Sequence, residues 1–121
     1  MVGVQIFGVK NSQATRAAER FFKERRVTIQ MIDLTQKKMA PGEIKRFVDR
    51  FGITGILDRA GKAYLDSGLL YLRVSDTDLL GKIEREPRLL QLPLVRSASR
   101  LSVGHDQDSW NAMVVDTIRV S

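Results

Sequence analysis

The first thirty-three residues constrain the fold more than any other stretch. Val2, Val4 and Ile6 alternate and Phe7 and Val9 extend the apolar run, the pattern of a short strand buried on both faces. Ala14, Ala17, Ala18, Phe21 and Phe22 then recur at helical spacing. They predict a helix over about 12–25, with small residues near its start and aromatics near its end. Residues 27–33 are β-branched and partly alternating, which reads as a second strand. A strand, a helix and a strand joined by short connections form a parallel, right-handed unit.

The middle of the chain turns helical. Pro41 suits a first helical turn, Ile44, Phe47, Val48 and Phe51 share one face, and Gly52 ends it. Short apolar pieces follow around Gly61 and Gly68: Ile53, Ile56 and Leu57, then Leu69, Leu70 and Leu72. Ser75 is placed to cap a helix through Leu79, Leu80 and Ile83, with Asp78 as a shortened capping-box partner, and Pro87 stops it. Two short strands come next, Leu92-Pro93-Leu94-Val95 and Arg100-Leu101-Ser102-Val103-Gly104, around the polar turn Ser97-Ala98-Ser99. Asp106 caps a last helix whose face is Trp110, Met113, Val114, Thr117 and Ile118. No repeat, linker or low-complexity stretch interrupts this order.

The expectation is therefore one α/β domain over 1–121 with a thioredoxin-like layout. It reads βαβ, an α-helical insertion at about 40–86, then ββα. The four-stranded mixed sheet should come from residues near 3–8, 27–33, 93–97 and 100–104, with the last two strands antiparallel.

Composition narrows the function. A chain of 121 residues is long enough to bury a core, and 43% hydrophobic with 28% charged residues is ordinary for a globular protein. No apolar run approaches the ~20 residues that span a bilayer, and the N-terminus lacks a signal-peptide layout, so no membrane association is expected. There is no cysteine. The fold must stand on packing alone, which suits the cytoplasm. No metal site is expected. Charge is lopsided: residues 1–62 hold 13 basic and 6 acidic side chains, residues 63–121 hold 7 and 8. A basic half attracts anions, from small oxyanions to acidic protein surfaces. Arg16, Arg20 and Lys23 line one helical face and Lys45, Arg46 and Arg50 another, and a solvated surface is the plain reading of both. No aromatics interleave with these cations, which argues against nucleic acid as a partner.

Three segments carry a family resemblance over roughly residues 3–113. Phe7-Gly8-Val9-Lys10-Asn11-Ser12 with its Ala-rich helix resembles the YGIKNC opening of the ArsC/Spx/YffB family. Gly61-Lys62-Ala63-Tyr64 followed by Gly68-Leu69 is similar to the family's mid-chain stretch. Residues 86–95, from Glu86-Pro87 to Leu94-Val95, and then Arg100–Val103 with Gly104, resemble its hPxLLxRPiv…krlxvGf segment.

The resemblance implies an arsenate reductase-like oxidoreductase, and this chain departs from it where the chemistry sits. The nucleophilic cysteine position is Ser12, and the arginine before the family's proline is Leu92. Arg59 lies in or next to the region of the other substrate arginine. Pro93 matches the proline beside the active-site loop, where this fold characteristically has a cis peptide. Relatives use the site for an oxyanion or the carboxylates of glutathione, and Spx-like relatives bind the C-terminal domain of the RNA polymerase α subunit.

Taken residue by residue, Ser12 sits at or beside a helix N-cap, a place that Ser and Asn fill well. In relatives the helix end lowers a thiol's pKa; a hydroxyl titrates far higher and needs a general base. His105, the single histidine, lies next to the last helix, and nothing in the sequence brings it to Ser12. Lys10, Asn11, Arg16 and the free N–H groups after Ser12 form a candidate anion pocket. Three readings stay open. One is a domain that has lost thiol redox catalysis and acts by binding. Another is a glutathione- or anion-dependent enzyme using Ser12 as a hydrogen-bond donor. The third is a transcription-linked adaptor.

Overall fold

Four strands and five helices follow one another in the computed structural model, which describes residues 3–120, the side chains of Leu70, Ile118, Arg119 and Val120 excepted. Val2 and the side chains of Leu70 and Ile118, read above as apolar positions, lie outside what the structure describes. The chain divides into two compact units, Met1–Lys37 with Leu92–Ser121, and Lys38–Gln91.

The first unit is built on a sheet of order β2-β1-β3-β4. Strand β1 (Val4–Gly8) pairs in parallel with β2 (Ile29–Asp33), Val4 opposite Ile29 and Gly8 opposite Asp33. On its other side β1 runs antiparallel to β3 (Leu94–Ser97), Phe7 opposite Leu94, and β3 pairs antiparallel with β4 (Arg100–Val103). The sheet is mixed and the last two strands are antiparallel, as the sequence predicts. It is central and two-sided because β1 is apolar on both faces: Val4 and Ile6 are fully buried on one, Phe7 on the other.

Helices α1 (Gln13–Glu24) and α5 (Gln107–Val120) cover the face that carries Val4, Ile6 and Val95. The small residues of α1 let its first half lie close to the sheet, while Phe21 and Phe22 fill its second half against Trp110, Met113 and Val114 of α5. Phe21 and Phe22 meet edge to face at 5.3 Å, and Trp110 tilts against both at 5.5 and 6.2 Å.

Both ends of α1 are closed by local chemistry. At its C-terminus Arg26 takes φ 58°, so that its amide reaches Lys23 O at 3.0 Å and that of Val27 reaches Phe22 O at 3.0 Å. This is a Schellman motif with arginine where glycine is usual. At the start of α5, Asp106 Oδ1 accepts from the Ser109 amide at 3.1 Å, the cap read from the sequence.

The second unit is helical, and its strand content is one isolated bridge, Leu57 with Leu90. Helix α2 (Pro41–Phe51) begins on its proline and ends at Gly52, whose φ of 79° only glycine adopts without strain. A short 3-10 turn (Thr54–Ile56) leads to α3 (Lys62–Ser67), a second (Leu69–Tyr71) follows, and α4 (Asp76–Arg85) ends before a third (Pro87–Leu89). Ser75 Oγ accepts from the Asp78 amide at 3.1 Å, capping α4. Phe47, Ile56, Tyr64, Leu79, Ile83 and Leu89 are buried. The chain returns along itself through Asp58 N–H to Leu89 O and Gln91 N–H to Ile56 O, both 2.8 Å.

Candidate functional site

One end of the sheet gathers most of the predicted site. β1 and β2 leave it at their C-termini, β3 enters it and β4 leaves it. The loop from Gly8 to α1, the start of β3 and the loop from β4 to α5 therefore share that end.

The loop is folded by its own backbone. Val9 is buried while Lys10 and Asn11 are exposed, and the Ser12 amide closes a turn on Val9 O at 3.1 Å. Ser12 is the N-cap of α1 in extended conformation (φ −85°, ψ 122°), its Oγ accepting from the Thr15 amide at 3.2 Å and its carbonyl from the Arg16 amide at 3.1 Å. Among the described residues nothing takes up the amides of Gln13 and Ala14. These are the orphan donors of a helix start, and no acidic side chain sits in the first turn to meet them. Arg16 Nη1 reaches back to Lys10 O at 3.1 Å, so its guanidinium is held on the same loop as Lys10. Two unmet N–H groups, a helix start and two cations are an arrangement that suits an anion.

A carboxylate that the sequence reading missed stands beside them. Asp33 ends β2 directly opposite Gly8, and the next amide, that of Leu34, donates to Gly8 O at 2.9 Å. Asp33 Oδ1 accepts from Thr35 Oγ1 at 2.6 Å and from the Thr35 amide at 2.9 Å. The Thr35 hydroxyl and then its amide hold the Asp33 carboxyl below its ordinary value against a smaller upward push from desolvation, and the charge of Lys10 adds the least. The signal was present in the βαβ reading, since parallel strands end side by side.

Pro93 is fully buried and the Leu92–Pro93 bond is cis. Because Leu94 pairs with Phe7, Pro93 falls level with Gly8, and its carbonyl accepts from the Gly104 amide at 3.0 Å. Leu92 is half-buried and brings no charge. Arg59 is exposed and belongs to the second unit. His105 does reach this end of the sheet, since it follows β4. Its ring lies edge-on against Trp110 at 4.9 Å, and among the described residues no hydrogen bond joins it to Ser12. Ser12 Oγ thus serves as a cap with no base bonded to it. Among the described residues no cluster of three or more His, Asp or Glu is placed to hold a metal ion, and no helix is long and apolar enough to cross a membrane.

No curated protein matches the sequence. Among solved structures, the YFFB protein superposes with a TM-score of 0.81 at 17% identity, covering 92% of this chain and 98% of that one. An arsenate reductase from Vibrio cholerae gives 0.78 at 16% identity, over 93% and 98% of the two chains. An arsenate reductase (ArsC) related protein from Brucella melitensis gives 0.64 at 18% identity, over 91% and 92%. At these identities the structures establish the shared thioredoxin-like fold. The model of the ArsC family matches residues 7–113, nearly the whole chain and both motif-bearing ends of it, and this protein, with serine at position 12, belongs to the ArsC family.

Proposed function

We propose that this chain has lost thiol redox chemistry and acts by binding a small anion at the N-terminus of α1. One observation carries the reading. Ser12 caps the helix with its Oγ turned to the Thr15 amide, in a chain with no cysteine anywhere. Thiol-dependent reduction of this kind begins with a protein sulfur that attacks the oxidised substrate, and the chain carries none. The unmet amides of Gln13 and Ala14, with Lys10, Asn11 and Arg16 around them, support retention of the binding half of the site. A free oxyanion or the carboxylates of glutathione have the matching chemistry. A cytoplasmic setting accords with a fold that has no disulfide to form.

The test is a coupled glutaredoxin or thioredoxin assay, in which the purified protein should turn over arsenate no faster than background. Turnover that survives purification and disappears in Ser12→Ala overturns the proposal in favour of a hydroxyl mechanism.

Ser12→Cys probes the site itself. The new sulfur would stand at the helix start, within reach of the Thr15 amide and near Lys10 and Arg16. A helix-end charge interaction of about 0.3–2 kcal/mol lowers the thiol from its free value of ~8.5 by roughly 0.2 to 1.5 units. Thiolate absorbance against pH measures it, and a thiol at or above 8.5 means there is no anion pocket. Ser12→Cys alone is still expected to leave arsenate unreduced, because Leu92 stands where the oxyanion would need a cation; adding Leu92→Arg is the route to any recovery.

A further inference from the structure

The two edges of the sheet are finished differently. β4 is four residues long, packs against α5 and opens on Arg100, which is ion-paired to Asp116. β2 has little of the usual edge protection: Ile29–Asp33 contains no proline, glycine, lysine or arginine, and its one charge is Asp33 at the far end. The phase of its hydrogen bonds is set by β1, since the Val4 amide donates to Thr28 O at 3.0 Å and the Leu34 amide to Gly8 O at 2.9 Å. In a parallel ladder of that phase, Gln30 and Ile32 turn their backbone groups toward β1, and Ile29 and Met31 turn theirs outward. Among the described residues no hydrogen bond takes up those outward groups. Thr28 and Gln30 are exposed, and Ile29, Met31 and Ile32 are half-buried.

Cations bracket this edge. Arg26 precedes it and Lys37 follows it, both exposed, while the neighbouring Arg25 lays its guanidinium over the Phe21 ring at 3.6 Å and donates to Phe21 O at 3.0 Å. Of the nearby carboxylates, Asp33 is bonded to Thr35 and faces Lys10, which leaves Glu24 at the entry end. Arg26 keeps its cationic side chain in a left-handed backbone position where glycine would cost less.

We propose that the open edge of β2 accepts an extended acidic peptide segment as an added strand. The main chain supplies evenly phased donors and acceptors for any extended chain, as in other cases of strand addition. The cations at both ends select one whose flanks are acidic. A second copy of this chain fits worse. Antiparallel pairing of two β2 strands about Met31 brings Arg25 of each copy toward Lys37 of the other, gathering like charges at both ends.

Amide hydrogen exchange, read by NMR on the intact protein, tests this. The probes are a short peptide of alternating Val and Thr with paired Glu at both ends, and the same peptide with Lys for Glu. In the free protein the Ile29 and Met31 amides should exchange quickly while those of Gln30 and Ile32 are protected. Acidic peptide at about ten times its Kd should slow Ile29 and Met31 roughly tenfold, and the basic peptide should not. Arg26→Glu with Lys37→Glu, two exposed positions, should shift the preference to the basic peptide. Met31→Pro removes the central outward N–H without breaking an internal bond and should abolish the protection at Ile29; if that variant does not fold, the charge reversal decides. Protection of Ile29 and Met31 without peptide, protection that grows with protein concentration alone, or equal effects of the two peptides would each overturn the proposal.

Discussion

Trp110→Ala is expected to lower stability by about 3–5 kcal/mol, the range for deleting a fully buried aromatic side chain. Trp110 is 1% exposed and stands in the first turn of α5, where its ring meets Phe21, Phe22 and His105. Its removal opens a cavity between α1 and α5, over the face that Val4, Ile6 and Val95 present to them. Set against a total of about 5–15 kcal/mol for an ordinary domain, the variant sits close to unfolding. Trp110→Phe separates ring volume from the indole N–H. Nε1 has no acceptor among the described residues, so phenylalanine removes a buried orphan donor while keeping most of the packing. Its expected cost is below about 1.5 kcal/mol. Urea midpoints at unchanged m-value measure both variants. A Trp110→Phe loss as large as that of Trp110→Ala would show that the indole N–H is satisfied after all.

Gly8→Ala should destabilise by about 1–3 kcal/mol although it adds a single methyl group. A Cβ at Gly8 would stand 2.6 Å from Thr15 Cγ2 and 3.0 Å from Thr15 Cβ. Thr15 is 2% exposed, and its amide is the one that bonds Ser12 Oγ. Relief therefore requires the start of α1 to move away from β1, which opens the cap and displaces Lys10 and Arg16 with it. Thr15→Ala removes the methyl group and the unpartnered Oγ1. The double variant Gly8→Ala/Thr15→Ala should regain most of the loss, giving a coupling energy of about 1 kcal/mol or more in a double-mutant cycle. Additive effects would place the strain of Gly8→Ala elsewhere than on Thr15.

Most of the fold was legible because its signals are local. The alternation of Val4 and Ile6, the spacing of Ala18, Phe21 and Phe22, the proline and glycine that bound α2, and the caps at Ser12, Ser75 and Asp106 each act over a few residues. Parallel pairing of β1 with β2 followed from the short connections alone. Position 12 was legible in the same way, because a cap and a missing thiol are properties of one residue and its next three neighbours.

Other features depend on groups far apart in the chain. Asp33 and Lys10 lie 23 positions apart in the sequence, and only the register that sets Asp33 opposite Gly8 brings the carboxylate to the loop that carries the lysine. The level of Pro93 with Gly8 and the arrival of His105 at the same end of the sheet come from antiparallel pairings across more than 80 residues. The outward phase of Ile29 and Met31 likewise depends on which residues of β1 bond to β2. Side-chain type and spacing determined the elements, their caps and the loss of the thiol, since those are decided within a turn or two of backbone. Tertiary structure decided which charges share the site, what Gly8 must leave room for, and which strand edge stays open, since register and packing between distant segments set all three.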